Sequence, residues 1–320
     1  MAKYLITGIA GFIGSSLARA LVERGEDVRG VDNYLTGKKA NLAGYYDHID
    51  FREVDLRDPS AIRTACEGID YILHIGALPS VPLSVAHPEP SHRCNVDGTL
   101  NVLEGARAEG VKRIVYAASS SAYGNQPILP SKESMRPMPI SPYAVQKLVG
   151  EYYMSSYWQV YGLETVSLRY FNVFGPRQGA DSPYSGVLAK FIQQMVEGTR
   201  PTIFGTGDQG RDFTYIDNIV YANLLACAAP AEKVAGKVFN TACGGQYTLK
   251  QIYQLLARLT GFDLPPLYAK SRTGDILHSQ ADISAAAEAF GYRPLVGVEE
   301  GLQRTVEWYR ETLKIPVASR

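Results

Sequence analysis

The sequence predicts an α/β fold, a doubly wound parallel sheet with a smaller mixed α/β lobe at the carboxyl edge of the strands. Short apolar runs alternate with helical segments through residues 1–174, which favours a parallel sheet covered on both faces. After that point glycine and proline become frequent and the alternation breaks up. We expect a larger domain over residues 1–174 plus about 212–242, and a smaller one over about 175–211 and 243–320.

Composition limits the kind of protein this is. The 32 basic and 32 acidic residues balance, so nothing in the overall charge favours nucleic acid or an anionic membrane as a partner. No apolar run approaches the ~20 residues of a membrane span, and the start of the chain lacks a signal peptide, so we expect a cytoplasmic protein. The cysteines are far apart, which predicts reduced thiols and neither a metal site nor a disulfide framework.

The first βα unit carries a glycine-rich turn. An apolar strand leads into Gly8, Gly11 and Gly14, and a helix with apolar periodicity follows. Glycines allow the backbone to approach a pyrophosphate closely, and the N-terminus of the helix stabilises its charge. The spacing is G-x-x-G-x-x-G rather than G-x-G-x-x-G. The unit nevertheless predicts dinucleotide binding.

The acids after the next two strands indicate which dinucleotide. Asp32 lies at about the ~20-residue offset of a carboxylate that binds the adenosine ribose, and such an acid repels the 2′-phosphate of NADP. We therefore predict NAD. Asp55 follows the third strand, where it can meet an adenine amino group. After the fourth strand, Gly76 and Ala77 leave room for a ribose or phosphate, whereas His74 is interpreted as a packed residue.

The strand before residue 119 ends in three serines, Ser119, Ser120 and Ser121. Open α/β sheets bind ligands at the carboxyl ends of their strands. The segment from Asn95 to Ala108 is predicted to be a helix. Tyr143 and Lys147 lie one turn apart on a later predicted helix, which opens at Ser141-Pro142 and runs to about Tyr161. A neighbouring ammonium lowers the pKa of a phenol, normally about 10, and a serine hydroxyl could share its proton. Taken alone, the pair could equally be two ordinary helix residues.

Several motifs in this order resemble those of the extended short-chain dehydrogenase/reductase superfamily, and within it the NAD-dependent nucleotide-sugar epimerase/dehydratase family. The resemblance covers essentially the whole chain and implies a Rossmann-type NAD-binding domain with a nucleotide-sugar-binding lobe. The motifs are the three glycines, Asp32-Asn33, Asp55-Leu56, Asn95 to Thr99, Ser119 to Gly124, Tyr143 to Lys147, Arg169 to Asn172 and Arg211-Asp212-Phe213.

The resemblance also implies residue roles for a UDP-sugar 4-epimerase. Tyr143 would remove the 4-hydroxyl proton while the C4 hydrogen leaves as hydride to NAD⁺, Lys147 would bind the nicotinamide ribose, and Ser120 would hydrogen-bond the 4-oxygen. Hydride would then return to the other face of the 4-keto sugar. The implied cofactor contacts are Gly8, Gly11, Phe12, Ile13, Gly14, Asp32, Asn33, Gly37, Asp55, Leu56, Ala77, Asn95, Tyr143, Lys147, Tyr170 and Val173. The implied substrate contacts are Ser80, Ser119, Ser120, Tyr143, Asn172, Gly186, Val187, Arg211, Arg272, Asp275 and Ser279.

The residues at and just after the three serines indicate which reaction is favoured. Similar dehydratases usually carry Thr-Asp-Glu at the serines, and decarboxylating relatives a Glu just after them, whereas this chain has three serines and Ala122. Simple return of the hydride is favoured.

Similar enzymes restricted to UDP-glucose and UDP-galactose tend to have a bulky tyrosine where this chain has Ser279. With the loop Leu78–Pro82, this favours UDP-N-acetylglucosamine and UDP-N-acetylgalactosamine, although Leu83 and Gly76 depart from that pattern.

Other functions stay open from the sequence. The nearest are epimerases of UDP-glucose or UDP-glucuronate, although no cation for a hexuronate C6 can be located. A non-enzymatic NAD-sensing protein would be expected to have lost the serine, tyrosine or lysine, and an NADP reductase is disfavoured by Asp32. The resemblance further implies a homodimer through the helices that contain Asn95 and Tyr143.

Overall fold

A seven-stranded parallel sheet organises the chain, seen here in a computed structural model that describes residues 1–180, 186–271 and 278–314. The strand order is β11-β6-β5-β4-β1-β2-β3, and every neighbouring pair is parallel. The strands are β1 Lys3–Thr7, β2 Asp27–Asp32, β3 Ile49–Glu53, β4 Tyr71–His74, β5 Arg113–Ser119, β6 Glu164–Tyr170, β7 Val173–Phe174, β8 Thr202–Phe204, β9 Gly210–Arg211, β10 Thr214–Tyr215, β11 Lys237–Thr241, β12 Tyr247–Thr248 and β13 Leu267–Ala269. The α-helices are α1 Phe12–Glu23, α2 Pro59–Cys66, α3 Val81–Ala86, α4 Pro88–His92, α5 Gly98–Ala108, α6 Pro142–Tyr161, α7 Val187–Val196, α8 Ile216–Ala228, α9 Ala231–Val234, α10 Leu249–Thr260, α11 Ser284–Phe290 and α12 Val298–Leu313.

Both faces of the sheet are covered by helices, as the alternation predicted. Successive side chains of a strand point to opposite faces. In β1, Leu5 joins a core with residues of α2, α5 and α6, while its neighbour Ile6 joins the core that contains residues of α1 and α8. The predicted doubly wound fold is confirmed, and β11 returns to the sheet as an edge strand beside β6.

The glycine turn brings the start of α1 against the carboxyl end of β1. Gly8 has a φ of +68°, and a Cβ there would lie 2.7 Å from the Cα of Gly76. A Cβ on Gly14 would lie only 2.2 Å from the carbonyl oxygen of Gly8. Any larger residue would push the first turn of α1 away from the strand. The glycine spacing in this chain is therefore a packing requirement.

Helix α6 has the boundaries that the sequence predicted. The Ser141 side chain caps it by accepting a hydrogen bond from the Ala144 amide at 3.2 Å, and Pro142 occupies the first turn. The helix ends where Gly162 adopts a left-handed φ of +71°. It carries Tyr143 and Lys147 in its first two turns.

The helix predicted from Asn95 to Ala108 begins differently. A π-helical turn covers Arg93–Asp97, and the regular α5 starts only at Gly98. In this wider turn the Thr99 hydroxyl donates to the Asn95 carbonyl at 2.7 Å, and the Asn95 side chain is directed into the protein. The predicted helix is present over the whole range, but its first turn is π-helical rather than α-helical.

A smaller lobe is built from α7, α10 and α12 with three two-stranded sheets. Its core is continuous with that on one face of the large sheet, since Phe191, Leu256 and Val306 belong to the same buried cluster as Ile6. The exact division into two domains remains a prediction. Among the described residues, no helix is both long and apolar enough to cross a membrane.

Candidate active site

A large cavity lies at the carboxyl ends of the parallel strands. Its volume is about 1540 Å³, above the ~300–1,000 Å³ usual for one small-molecule ligand. The glycine turn, the serines after β5 and the first turns of α6 line it together with residues of the smaller lobe. The cavity therefore has room for a dinucleotide and a second ligand beside it.

The first turn of α1 fits the pyrophosphate of a dinucleotide. Phe12, Ile13 and Gly14 line the cavity, and α1 has no side-chain cap on its N-terminal amides. Uncapped amides at the positive end of a helix bind phosphate. Gly11 and Gly14 have no Cβ that would keep a pyrophosphate away from these amides. This end of the helix therefore suits the predicted pyrophosphate.

Asp32 anchors the loop around the adenosine end of this site. Its carboxylate accepts hydrogen bonds from the amides of Ala10 at 2.9 Å and Tyr34 at 2.8 Å. Burial raises the pKa of Asp32, and these amide bonds oppose that rise. A carboxylate has about four acceptor positions, so capacity remains for ribose hydroxyls. A Cβ on Gly37 would lie 2.9 Å from both carboxylate oxygens, which explains the glycine there.

Some residues predicted to contact the cofactor lie outside the cavity wall. Asp55 is paired with Arg57 at 2.6 Å and accepts a hydrogen bond from Asn33 at 2.9 Å, which keep its pKa well below the usual range. Leu56 lines the cavity, whereas Gly37, Asp55 and Asn95 do not, and neither does Val187, which was predicted to contact the substrate. The proposed contact of Asp55 with adenine stays a prediction.

Asn95 holds protein segments together. It is 1% exposed. The oxygen of its side-chain amide accepts a hydrogen bond from the Leu78 backbone amide at 2.7 Å. The nitrogen of the same side chain donates to the Gln146 side chain at 2.9 Å and to the Leu78 backbone carbonyl at 3.2 Å. The side chain thus joins the loop after β4 to α6. A direct cofactor contact was expected, but the structure assigns its polar atoms to these internal bonds.

Tyr143 is held from two sides. Its backbone amide donates to the hydroxyl of Ser84 at 3.0 Å, which docks α3 on the start of α6. On the other side, Ser119 lies close enough to the phenol to affect its pKa. Burial raises the pKa of Tyr143 to about 12, and the interaction with Ser119 opposes that rise. The expectation that Lys147 would bring this pKa below the normal value was wrong for the protein without ligands, because burial dominates.

Lys147 lies deep in the site, 3% exposed. Its ammonium donates to the Ala117 carbonyl at 2.8 Å and lies 4.8 Å from the centroid of the Tyr116 ring. Burial lowers the pKa of Lys147 to about 8, while Cys94 and Glu151 raise it. The side chain is therefore still mostly protonated at neutral pH. The residue supplies a fixed positive charge beneath the cavity.

The three serines are not equivalent. Ser119 ends β5, and its hydroxyl accepts hydrogen bonds from the Ser121 hydroxyl at 2.8 Å and from the Ser121 amide at 3.2 Å. Ser119 is also the serine that affects the pKa of Tyr143, although sequence reasoning gave the main role to Ser120. Ser120 lines the cavity and begins a short 3-10 turn. Its contact with the sugar 4-oxygen stays a prediction, and Ser119 becomes the stronger candidate.

The part of the cavity assigned to the sugar nucleotide is formed where β6 and the smaller lobe meet. Asn172 has a φ of +35°, and its amide donates to the Asp212 carbonyl at 2.9 Å and to the Ser279 hydroxyl at 3.3 Å. Arg211 lines the cavity and bonds the Gly210 carbonyl at 3.0 Å. The whole cavity is also lined by Ser80 and Gly186, which were predicted to contact the substrate, and by Ala77, Tyr170 and Val173, which were predicted to contact the cofactor. Arg272 and Asp275 lie outside the described residues.

His74 is a packed residue, as interpreted from its strand. Its Nε2 lies 3.0 Å from the Thr99 hydroxyl and its Nδ1 2.7 Å from the Thr7 hydroxyl. Thr99 donates to a backbone carbonyl, so it must accept from Nε2–H, which leaves Nδ1 as an acceptor. Burial lowers the pKa of His74 to about 3. The imidazole is neutral and links the ends of β1 and β4.

Comparison with known proteins identifies the family of this chain. Residues 4–242 match the model of the NAD dependent epimerase/dehydratase family. The UDP-glucose 4-epimerase of Mycolicibacterium smegmatis is 35% identical over 96% of this chain and 98% of its own length. The UDP-glucuronate 4-epimerase of Thermodesulfobacterium geofontis is 33% identical over 98% of each chain. The chain belongs to the NAD-dependent epimerase/dehydratase family, whose cofactor is NAD.

Solved structures give the same relationship. The UDP-glucose 4-epimerase of Thermotoga maritima, solved with UDP-glucose, has a TM-score of 0.93 and 38% identity over 97% of this chain and 99% of its own. The UDP-N-acetylglucosamine 4-epimerase of Methanobrevibacter ruminantium, in complex with UDP-N-acetylmuramic acid, has a TM-score of 0.92 and 36% identity over 97% and 99%. The UDP-glucose 4-epimerase of Thermus thermophilus, solved with NAD, has a TM-score of 0.88 and 34% identity over 96% and 99%.

Proposed function

We propose that this NAD-dependent epimerase interconverts UDP-N-acetylglucosamine and UDP-N-acetylgalactosamine, and also accepts UDP-glucose and UDP-galactose. The observation that carries the chemistry is the placement of Ser119 near the phenol of Tyr143, where it opposes the rise in the tyrosine pKa caused by burial, with the ammonium of Lys147 one helical turn away. Bound NAD supplies the acceptor and donor of a hydride at the sugar C4. The protein's own residues handle the accompanying proton.

Tyr143 takes the 4-hydroxyl proton and later returns it. Its raised pKa means that the phenol is protonated in the ligand-free protein at neutral pH. The phenolate must be formed as substrate binds, and a positive charge close by favours it. The Ser119 hydroxyl can donate a hydrogen bond to the Tyr143 oxygen or accept one from it. It can therefore keep the phenol oriented while the proton moves. The ammonium of Lys147 offers the nearest fixed positive charge on α6.

Return of the hydride is the outcome that these side chains support. Elimination of water or carbon dioxide needs a further acid or base near the sugar. Residues Ser119 to Ala122 offer hydroxyls and a methyl group there, and no carboxylate. A ketone formed at C4 would therefore be reduced again within the same site. Reduction on the opposite face gives the C4 epimer.

The preference for an N-acetylated sugar rests on Ser279. This small side chain lines the cavity beside Asn172, and its hydroxyl is within 3.3 Å of the Asn172 amide. A tyrosine at this position would extend into the space where a 2-acetamido group would lie. Leu83, in α3, also lines the cavity and adds apolar surface rather than charge. Although it departs from the pattern of the N-acetylglucosamine enzymes, this apolar side chain disfavours a hexuronate carboxylate.

Plain UDP-glucose is the second candidate, because similarity to the UDP-glucose 4-epimerase of Thermotoga maritima, with 38% identity and a TM-score of 0.93, is as strong as that to the N-acetylglucosamine enzyme, with 36% and 0.92. UDP-glucuronate is the third, supported by the T. geofontis relative. The protein, as purified, would be incubated separately with the three UDP-sugars and followed by proton NMR. We expect the fastest 4-epimer formation from UDP-N-acetylglucosamine. Conversion of UDP-glucuronate alone would reject the proposed substrate.

We also propose a homodimer through α5 and α6. The outer face of α6 exposes Tyr152 and Val160, 61% and 66% accessible, which is unusual for apolar residues along one helix. Light scattering should give twice the 35.0 kDa chain mass. Tyr152→Glu should shift the mass towards the monomer, whereas a change elsewhere on the surface, such as Leu295→Glu, should not. A wild-type monomer would reject this interface.

A further inference from the structure

A buried carboxylate lies beside the cavity but is not part of the chemistry described above. Asp212 is 0% exposed and follows Arg211 at the end of β9. One oxygen accepts from the Cys243 amide at 3.1 Å, and the other accepts from the amides of Gly244 at 3.0 Å and Ala281 at 3.2 Å. These donors come from the loop after β11 and from a segment near the end of the chain. One side chain therefore joins three parts of the chain that are distant in sequence.

The segment from residue 278 to 282 carries the proposed specificity residue Ser279, and backbone bonds hold it on both sides. The Ser279 amide donates to the Gly210 carbonyl at 3.0 Å, and the Ser131 amide donates to the Gln280 carbonyl at 2.7 Å. The bond between the Ala281 amide and Asp212 lies between the attachment at Gln280 and a further one, in which the Asp282 amide donates to the Ser131 carbonyl at 2.9 Å. We call residues 278–282 the strap.

Asp212 also reaches the sugar side of the cavity through its backbone. Its carbonyl accepts from the Asn172 amide at 2.9 Å, and the same amide of Asn172 lies 3.3 Å from the Ser279 hydroxyl. The side chain of Asp212 thus holds the strap, and its backbone carbonyl holds Asn172. Together these bonds fix the spacing between the strap and Asn172. A shift of the strap would move Ser279 away from Asn172.

From this geometry we propose that Asp212 is a positioning residue that fixes the strap and so sets the sugar selectivity at Ser279. The proposal rests on the function proposed above. Asp212 does not touch the reacting atoms, and its effect is transmitted through Ala281 and Asn172. A residue with this role fixes the position of the pocket wall that contains Ser279. Its loss should change substrate binding and selectivity more than the chemical step.

The substitution Asp212→Asn tests the role with little change in volume. An amide has one oxygen, so whichever way it turns, its NH₂ group must face at least one of the backbone N–H donors. Leaving a buried donor unpaired changes binding by about 5- to 100-fold. We expect KM for UDP-N-acetylglucosamine to rise at least about tenfold, with kcat changed by less than about threefold and NAD content unchanged.

The matched control is Asp217→Asn, the same substitution on the first turn of α8. Asp217 pairs with Arg304 at the surface at 3.2 Å, with both side chains about half exposed. This variant should keep the wild-type KM, kcat and selectivity. Equal changes in the two variants would show that the effect is not specific to the strap, and would overturn the proposal.

A double-mutant cycle with Ser279→Tyr separates positioning from general stabilisation. Residues that act through one element are not additive, and their coupling often reaches about tenfold or more. The ratio of kcat/KM for UDP-N-acetylglucosamine to that for UDP-glucose should fall less on Ser279→Tyr in the Asp212→Asn background than in the wild type. Full additivity would overturn the proposal, because a residue that only stabilises the fold would not couple to selectivity.

Two further measurements keep the test decisive. If Asp212→Asn does not fold, Asp212→Ser, which keeps one acceptor oxygen but removes the charge, takes its place. Hydrogen exchange on the wild-type protein should show the amides of Ser279, Ala281 and Asp282 protected as strongly as those of β11. Fast exchange there would overturn the proposal even if no variant folds.

The same experiments distinguish failure of the proposed function. If the wild type epimerises none of the UDP-sugars, the proposed function fails. The positioning role would then be judged from the affinity for UDP-N-acetylglucosamine, by calorimetry, and from hydrogen exchange of the strap in the Asp212→Asn variant. Binding weakened and exchange accelerated by Asp212→Asn but not by Asp217→Asn would support it, and no change in either would overturn it.

Discussion

The ammonium of Lys147 donates a hydrogen bond to the Ala117 carbonyl at 2.8 Å while lying over the ring of Tyr116. These contacts hold the charge at a fixed place, although burial lowers the pKa of Lys147 to about 8. The charge is therefore present below pH 8 and lost as the pH rises through that value. The rate of any step that needs this charge should therefore fall as the pH rises through about 8.

The first prediction concerns this pH dependence. If the ammonium stabilises the Tyr143 phenolate, kcat should fall as pH rises above about 8, because the deprotonated lysine no longer favours the phenolate. The profile is measured with saturating substrate, and circular dichroism at each pH checks that the fold is intact. A rate that stays level or rises up to pH 9.5, with the fold intact, would argue against this role.

The second prediction separates Tyr143 from other tyrosines of α6. Tyr143→Phe removes the proton carrier, and general acid-base catalysis contributes about 10²–10⁴-fold, so kcat should fall by at least about a hundredfold. Tyr152→Phe is the matched control, since Tyr152 lies on the same helix and is 61% exposed. Both variants should copurify with NAD, measured after denaturation. Near-normal activity in the Tyr143 variant would exclude it as the base.

The third prediction distinguishes the serines. Ser119→Ala should lower kcat by about 10²-fold, because it removes the hydroxyl that opposes the rise in the pKa of Tyr143. Ser120→Ala should lower kcat by less than about tenfold, since Ser120 is not among the groups that affect the Tyr143 pKa. Steady-state kinetics on the two variants decide between them. The reverse ranking would restore the role that sequence reasoning gave to Ser120.

The fourth prediction concerns sugar selectivity. Ser279→Tyr places a bulky ring at the cavity wall beside Asn172, so turnover of UDP-N-acetylglucosamine should fall by at least about tenfold while that of UDP-galactose is spared. Ser279→Ala, which stays small, should keep both activities. Equal loss on both sugars in the tyrosine variant would contradict the selectivity role.

The fifth prediction concerns stability next to the site. Glu151 and Arg169 form a buried ion pair, with bonds of 2.9 and 2.6 Å and side chains only 2% and 4% exposed. Glu151→Gln leaves a buried cation without its partner and should cost about 3–5 kcal/mol in the free energy of unfolding. Urea denaturation measures it.

The control is the exposed pair of Arg19 and Glu23, whose side chains are 55% and 61% accessible. Glu23→Gln should change the free energy of unfolding by at most about 1 kcal/mol. A similar small change for Glu151→Gln would mean that the buried pair does little to hold β6 against α6.

Local sequence signals predicted much of the fold. The apolar strands, the glycines at close approach and the Ser141–Pro142 start of α6 each depend on neighbouring residues, so they were readable. His74 was also recognised as packed, because it ends a buried strand. The positions of Tyr143 and Lys147 on one helix face followed from their spacing alone.

Features that depend on distant contacts were not predicted. Which serine meets Tyr143 depends on where β5 ends and how the 3-10 turn rotates the next residues. The bond from Tyr143 to Ser84 joins residues 59 positions apart. The three amides around Asp212 come from residues 31, 32 and 69 positions away. The high pKa of Tyr143 arises from burial, which spacing cannot show.

The central claim is that hydride leaves C4 of the sugar and returns to the same carbon within one site. The most direct test uses UDP-N-acetylglucosamine labelled with deuterium at C4, incubated with the purified protein in ordinary water without added NAD. Proton NMR and mass spectrometry of the UDP-N-acetylgalactosamine formed should show the deuterium retained at C4. Loss of the label to solvent, or a product other than the 4-epimer, would contradict the account.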